Sequence, residues 1–248
     1  MGEELVFYTH PQSRGRIARW MLEEVGAPYR TEVLEYGGSM KSPAYLAVNP
    51  MGKVPAIRHG DTVVTEGAAI CAYLADAFPE ANLAPPPGDR ARGPYYRWLF
   101  FGAGPIESAM MSKMLGFDTT GKEVQVGYGS VERVADALEA ALEKSDYIAG
   151  DQFTAADVYV GSQLGWATQW GALEKRPAIG AYLDRITARP AAVGDQASPD
   201  EPDSVGKRPG QDRERRLAWL KKLHIPGFMP DGREQPPPQE RPELEQGH

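Results

Sequence analysis

Apolar positions in the first part of the chain predict a strand, a helix and a second strand. Residues 5–8 (LVFY) form a short apolar run that is typical of a buried strand. From Ser13 to Val25, apolar side chains recur three and four positions apart, as one buried face of a helix requires. Gly26 is well suited to end that helix, and residues 29–34 then predict the second strand.

The next residues predict a hairpin followed by a helix. Two short strand patterns, at 54–58 and 62–65, flank the turn sequence His59-Gly60-Asp61. A helical stripe follows from Glu66 to Phe78. The order strand, helix, strand, then strand, strand, helix predicts a small α/β domain with a mixed sheet over residues 1–80.

Beyond this domain the pattern becomes helical throughout. A proline-rich connector at 79–88, with the linker itself at 81–88, marks a domain boundary. Residues 89–193 show no strand pattern and carry several helical stripes joined by short gaps, which predicts an all-α bundle. Residues 194–248 are rich in proline and charge, so we expect them to be largely disordered, with a marginal solvated helix at 211–223.

Composition excludes several classes of protein. The 248 residues carry a net charge of −7 and no apolar stretch of the roughly 20 residues that a membrane span needs. The acidic balance argues against a basic nucleic-acid-binding face, and the N-terminus lacks the basic start and longer apolar run of a secretory signal. One cysteine and four scattered histidines argue against a disulfide framework and a His/Cys zinc site. We therefore expect a cytoplasmic protein with no metal, no nucleic acid and no membrane as partner, and with Cys71 as an inert buried thiol.

Four local features could carry chemistry. Residues 8–13 run from a strand end to a helix start, where backbone N–H groups and hydroxyls stabilise an anion, although Ser13 could equally be a plain helix cap. Pro55 opens a strand and suggests a cis bond or a free sheet edge that could pair with a peptide. Glu66 could receive an amine or merely complement a helix dipole. Residues 153–158 form a capping box with a hydrophobic staple, which serves folding.

Four stretches, in this order and spacing, give the chain its family resemblance: YTHPQSRGRIARWMLEEVGAPY, NPMGKVPAI, TEGAAICAYLAD and GDQFTAADV. Over about residues 4–190 the chain resembles a cytosolic glutathione S-transferase of the bacterial type. The resemblance implies an α/β thioredoxin-like N-terminal domain and an all-α C-terminal helical bundle domain, assembled as a homodimer. It also implies detoxification chemistry with glutathione as co-substrate and no permanently bound cofactor.

The resemblance also assigns the glutathione site. It implies a cis-proline at Pro55, pairing of the Val54 backbone with the cysteinyl part of glutathione, and binding of the γ-glutamyl end by Glu66. Lys41 and Lys53 stand where family members often reach the glycine carboxylate. Family members usually carry Ser or Thr after the glutamate, whereas this chain has Gly67, which removes a side-chain hydroxyl but keeps the backbone N–H.

The catalytic hydroxyl has three candidates in the sequence. Ser13 stands at the helix start, Tyr8 matches the tyrosine-type enzymes counted from the strand, and Thr9 matches the serine-type enzymes counted back from Arg14. We rank them in the order Ser13, Tyr8, Thr9. A cysteine-type thiol-disulfide reductase is disfavoured, because this loop contains no cysteine.

The leading hypothesis is therefore a transferase that conjugates the glutathione thiolate to an apolar, electrophilic small molecule. The wall of the electrophile pocket would be Met110, Met111, Met114 and Phe117, although such a stripe is more often ordinary core. The alternatives are a non-catalytic binding or interaction module that works through the C-terminal tail, or another glutathione-dependent activity such as an isomerase, dehalogenase or peroxidase.

Overall fold

The computed structural model describes residues 3–194. The tail from residue 195 onward, with the helix expected at 211–223, lies outside the described residues. None of the helices in the described range combines the length and hydropathy that a bilayer span requires. The limits expected for the two domains, at residues 80 and 89, stay predictions.

The N-terminal part forms a four-stranded mixed sheet. Its strands are β1 (Leu5–Thr9), β2 (Arg30–Val33), β3 (Ala56–His59) and β4 (Thr62–Thr65), in the order β2-β1-β3-β4. Strand β1 runs parallel to β2 and antiparallel to β3, while β3 and β4 form the predicted hairpin. This is the thioredoxin-like arrangement that the resemblance implied, and the prediction of a mixed sheet is confirmed.

Strand alternation sends successive side chains of β1 to opposite faces of the sheet. Phe7 packs into the core formed with α1 (Gly15–Val25) and α3 (Gly67–Ala77). Tyr8 instead faces Tyr45 of the short helix α2 (Pro43–Leu46), with 5.5 Å between the ring centroids. The face on which each β1 side chain lies therefore determines which hydroxyls can reach the start of α1.

Helix α1 begins and ends close to the predicted positions. Gly26 adopts a left-handed conformation with φ of 66°, and its N–H caps the carbonyl of Leu22, as predicted. The helix starts at Gly15 with Arg14 as its N-cap residue, and the Ser13 hydroxyl, one position earlier, accepts a hydrogen bond from the Gly15 N–H at 2.9 Å. Gly15 also permits a close approach, since a Cβ there would lie 2.0 Å from the Thr9 hydroxyl oxygen.

The C-terminal part is helical, and the described residues from 89 onward contain no strand. Its helices are α4 (Arg92–Phe101), α5 (Glu107–Leu115), α6 (Val131–Leu142), α7 (Ala155–Gln169), α8 (Pro177–Thr187) and α9 (Pro190–Gly194). A π-helical turn, Gly102–Ile106, joins α4 to α5 without a break in the helix. The pattern of apolar residues in the sequence does not predict this turn. Pro105 lies within it, and its ring nitrogen has no hydrogen to donate.

Helix α7 runs through the interior and packs against both parts of the molecule. Its start carries the predicted capping box, in which Thr154 and Asp157 satisfy each other's backbone N–H groups. Ten of its residues are buried, so it forms the central element of the helical part. Because α7 packs against α1 and α3, it also brings side chains of the helical part to the edge of the sheet.

Candidate functional site

A cavity of about 650 Å³ lies between the sheet and the helical part. From the first part it is lined by Ser13, Arg14, Ile17, Tyr36, Gly37, Met40, Lys41, Asn49, Met51, Gly52, Lys53, Val54, Pro55, Glu66 and Gly67. From the helical part it is lined by Glu107, Met111 and Tyr159. The size and the mixture of charged, polar and apolar side chains suit a small polar ligand with an apolar neighbour.

Ser13 is the candidate hydroxyl that reaches this cavity. Its oxygen accepts from the Gly15 N–H and donates to the His10 carbonyl oxygen at 2.6 Å, so its single hydrogen is already engaged. Ser13 therefore contacts an N–H group at the helix start, while the N-cap residue itself is Arg14 and not Ser13. The first turn of α1 carries no acidic side chain, so no carboxylate of the helix itself offsets the positive end of its dipole.

Tyr8 and Thr9, the other two candidates, do not line the cavity. Tyr8 lies on the sheet face opposite to Phe7, against the ring of Tyr45. Thr9 is buried against Gly15 beneath the start of α1. Successive side chains of a strand point to opposite faces, so Tyr8 and Thr9 lie on different sides of β1. Ser13 follows the turn after β1 and reaches the cavity from there.

The bond between Val54 and Pro55 is cis, as the resemblance implied. The side chains of Tyr45 and Asn49 donate to the Lys53 carbonyl at 2.6 and 2.8 Å and hold this segment in place. Within residues 3–194, the Val54 backbone N–H and carbonyl make no hydrogen bond of their own. They form an unpaired edge at the cavity, which an extended peptide can pair with.

Both predicted lysines line the same cavity. Lys41 donates through its ammonium group to the carbonyl oxygens of Met51 and Gly52, at 3.2 and 2.8 Å. In the described part of the chain, neither Lys41 nor Lys53 forms an ion pair. Their positive charges are therefore available to an anionic ligand.

Glu66 and Gly67 stand where β4 leads into α3. Glu66 has a φ of 67°, a conformation that non-glycine residues rarely adopt and that is often found at ligand-binding positions. No side chain caps the N-terminus of α3, so its first N–H groups remain available beside the Glu66 carboxylate. The pair therefore presents an anion and several hydrogen-bond donors within one turn of chain.

The expected electrophile wall is only partly at the cavity. Met111 lines it, whereas Met110 is 2% exposed and packs in the core. Met114 and Phe117 are exposed, Phe117 at 64%, and neither lines the cavity. Met110 and Met111 are consecutive on α5, and consecutive helical positions point about 100° apart, so the two side chains face different surroundings. The sequence shows the stripe, but not which of its members faces the ligand.

Several residues of the cavity were not predicted from the sequence. Arg14 forms an ion pair with Glu107 at 2.6 Å, and Gln163 donates to Glu107 and to the Tyr159 hydroxyl, each at 3.2 Å. Tyr36 also lines the cavity, its hydroxyl donates to the Gln12 carbonyl oxygen at 3.3 Å, and burial raises the pKa of its phenol. The nearest signal in the sequence was the capping box at 154–157. It predicted the start of helix α7, but it did not indicate that Tyr159, two residues beyond the box, lines the cavity.

Cys71 lies outside the cavity and is fully buried in α3. Burial raises the pKa of its thiol, because a thiolate cannot be solvated there. Among residues 3–194, no group of three or more His, Cys, Asp or Glu side chains is arranged to hold a metal ion. The groups that line the described site are hydroxyls, backbone N–H groups, lysines and carboxylates, with apolar side chains beside them.

Comparison with known proteins agrees with this geometry. The family models for the glutathione S-transferase N-terminal and C-terminal domains match residues 14–77 and 122–185. The chain is 33% identical over 148 residues to glutathione S-transferase GstA of Escherichia coli O157:H7, which covers 59% of this chain and 73% of that protein.

Solved structures show the same relationship. A glutathione transferase from Methylococcus capsulatus is 31% identical with a TM-score of 0.65, covering 77% of this chain and 96% of that one. A homologue from Sulfitobacter, solved with bound glutathione, is 26% identical with a TM-score of 0.62, covering 78% and 97%. The chain therefore belongs to the glutathione S-transferase family, whose co-substrate is glutathione.

Proposed function

We propose that this protein conjugates glutathione, through its thiolate, to an apolar electrophilic small molecule. The observation that carries the proposal is the cavity, where an unpaired peptide edge at Val54, a carboxylate at Glu66 and the uncapped start of α3 adjoin the start of α1. Each of these matches one part of a γ-glutamyl tripeptide. Glutathione is kept reduced in the cytoplasm, and we propose that the reaction takes place there.

Binding would use complementary charges at the two ends of the tripeptide. Glu66 would receive the α-ammonium group of the γ-glutamyl end, and Lys41 and Lys53 would attract the glycine carboxylate. The Val54 backbone would pair with the cysteinyl residue as an added strand does. These contacts would direct the sulfur towards Ser13 and the N-terminus of α1.

Activation of the thiol sets a free-energy requirement. A thiol with a pKa near ~8.5 needs about 2.7 kcal/mol of preferential thiolate stabilisation for its pKa to fall by two units. A helix N-terminus supplies about 0.3–1 kcal/mol, which is too little alone, whereas a hydroxyl donating to a charged acceptor adds about 1.5–3 kcal/mol. Ser13 therefore has to turn its hydrogen from the His10 carbonyl to the sulfur.

The reaction itself would be a nucleophilic displacement. The thiolate forms a carbon–sulfur bond to the electrophile, and the leaving group departs with its electron pair, as halide does from an aryl halide. Met111 and Ile17 provide apolar surface for the electrophile beside the sulfur. The reaction needs no general base once the thiolate has formed.

A test compares Ser13→Ala with the matched cap variant Ser130→Ala. Both lose a hydroxyl that accepts a backbone N–H at a helix start, so each should lower the free energy of unfolding by about 1 kcal/mol. Only Ser13→Ala should reduce kcat/KM for a model aryl halide, by about 10- to 100-fold, because it alone removes the thiolate donor. Equal activity in the two variants would contradict the role of Ser13.

A second candidate is a glutathione-binding protein without turnover. One contact favours it: the Ser13 hydrogen is donated to the His10 carbonyl at 2.6 Å, away from the ligand. Calorimetry and the conjugation assay on the same sample separate the two functions. Binding of glutathione with no conjugation would favour the binding protein without turnover. No binding of glutathione would contradict both functions.

We also propose that the protein works as a homodimer. Helix α4 exposes Tyr96 and Phe100, the latter at 74%, and residues four apart share one helix face. Such a pair of large exposed apolar side chains is typical of a protein interface. A molecular mass near 27 kDa by sedimentation, instead of twice that value, would contradict the dimer.

A further inference from the structure

Tyr159 occupies a slot at the cavity that two glycines create. A Cβ on Gly67 would lie 3.1 Å from the Tyr159 Cε2 atom, and a Cβ on Gly102 would lie 2.8 Å from its Cδ1 atom. These atoms belong to opposite edges of the ring, so Gly67 of α3 and Gly102 of the π-helical turn hold the ring between them. Tyr159 is 7% exposed, yet it lines the cavity beside Glu66. The ring of Tyr159, on α7, therefore occupies the space that a side chain at position 67 would need.

The hydrogen bonds around Tyr159 determine the direction in which its hydroxyl donates. Glu107 is paired with Arg14 at 2.6 Å, so its carboxylate is an acceptor and the amide nitrogen of Gln163 must face it. The same nitrogen donates its other hydrogen to the Tyr159 oxygen at 3.2 Å. The Tyr159 hydrogen is then left without an acceptor among residues 3–194.

Tyr159 is thus a hydrogen-bond donor at neutral pH. Burial raises the pKa of its phenol, and Glu107 adds to that rise, so the hydroxyl keeps its hydrogen. A buried donor at the wall of a ligand cavity needs an acceptor from the ligand, because an unmade hydrogen bond there is costly. The edge of the ring that carries Cε2 packs against Gly67, so Tyr159 reaches the cavity beside the start of α3.

We propose that the Tyr159 hydroxyl donates to the α-carboxylate of the γ-glutamyl end of glutathione, and so contributes to specificity for that end. The inference rests on the proposed function. An α-amino acid carries an ammonium and a carboxylate on one carbon, and Glu66 next to Gly67 would bind the first of these. The uncapped N–H groups of α3 and the Tyr159 hydroxyl then surround the second, and the hydroxyl supplies the side-chain donor that Gly67 lacks.

The test is calorimetry on the full chain with two ligands, glutathione and 4-aminobutyryl-cysteinyl-glycine, which lacks only the α-carboxylate. Tyr159→Phe keeps the ring in its slot and removes the hydroxyl. It should raise the Kd for glutathione about tenfold, since a hydrogen bond to a charged group is lost, and leave the Kd for the analogue within about twofold. The control, Tyr73→Phe, removes a hydroxyl bonded to His59 outside the cavity and should change neither value.

The outcomes separate the two proposals. If the unmodified chain binds no glutathione, the proposed function fails and this inference fails with it. If the chain binds glutathione but Tyr159→Phe binds it equally well, only the inference is overturned. A loss of the same size for both ligands would also overturn it, because the hydroxyl would then act on another part of the tripeptide. Unchanged thermal unfolding of Tyr159→Phe shows that the readout reports binding.

Discussion

At the scale of single residues, the site depends on the direction of each hydroxyl. Tyr8, Thr9 and Ser13 are close in sequence, yet Ser13 lines the cavity while Tyr8 faces α2 and Thr9 lies under α1. A strand reverses side-chain direction at every position, so neighbours in sequence end on opposite faces. Sequence reasoning could therefore propose the three hydroxyls, but it could not choose between them on physical grounds.

His10 belongs to the same loop and gives a prediction about pH. Its Nδ1 accepts the Gln12 N–H at 3.1 Å, and partial burial lowers the pKa of its imidazole below 6.5, with Glu35 opposing the shift. Because the pKa is lower in the folded state than in the unfolded state, this contribution to stability is complete above about pH 6.5. It is lost as the pH falls through the folded pKa.

NMR titration of the His10 ring should therefore give a midpoint below 6.5. Glu35→Gln should lower that midpoint further, because it removes the opposing charge. The control Glu23→Gln, whose carboxylate accepts from Tyr29, should leave it unchanged. A midpoint that rises in Glu35→Gln would contradict the assigned charge effect.

At the scale of elements, the start of α7 links folding to the site. Asp157 accepts from the N–H groups of Thr154 and Ile148, both at 2.8 Å, and from the Tyr182 hydroxyl at 3.0 Å. These contacts set the position of the first turns of α7, on which Tyr159 lies. The capping box could be predicted from four residues of sequence, because it is a local pattern.

Asp157→Ala should lower the free energy of unfolding by about 3 kcal/mol or more. Two buried N–H groups and one hydroxyl lose their acceptor, and each unmade hydrogen bond costs about 1–3 kcal/mol. Urea unfolding measures the change. Asp184→Ala, at an exposed aspartate with a 3.7 Å ion pair to Lys175, is the control and should cost less than about 1 kcal/mol. Equal losses in the two variants would contradict the role of the buried carboxylate.

At the scale of the whole molecule, one buried contact ties the helical part to α1. Arg189 donates to both carboxylate oxygens of Glu24 at 2.7 Å, and the Glu24 side chain is 6% exposed. The Trp20 indole donates to the same carboxylate, and the Arg189 guanidinium lies 3.8 Å from the centroid of the Phe153 ring. Arg189 follows α8, so the end of the helical part is anchored on the first helix of the chain.

Arg189→Ala should lower the free energy of unfolding by about 3 kcal/mol, because it leaves a buried carboxylate without its cation. The control is Arg30→Ala, which removes an exposed pair with Glu4 at 3.2 Å and should cost about 1 kcal/mol or less. Chemical denaturation with two probes, tryptophan fluorescence and circular dichroism, measures both variants. A cost for Arg189→Ala no larger than that of the control would contradict the anchoring role.

The local elements of this protein can be predicted from its residues alone: its four strands, the left-handed cap at Gly26, the hairpin and the capping box before α7. Each depends on propensity or periodicity within a few residues, so no distant contact is needed to predict it. Packing in three dimensions, in contrast, places Ser13 and Met111 at the cavity and Tyr8 and Met110 away from it, and it fills the space beside Gly67 with Tyr159. Those outcomes depend on contacts between elements far apart in sequence, where a side chain's direction and its neighbours are set by packing.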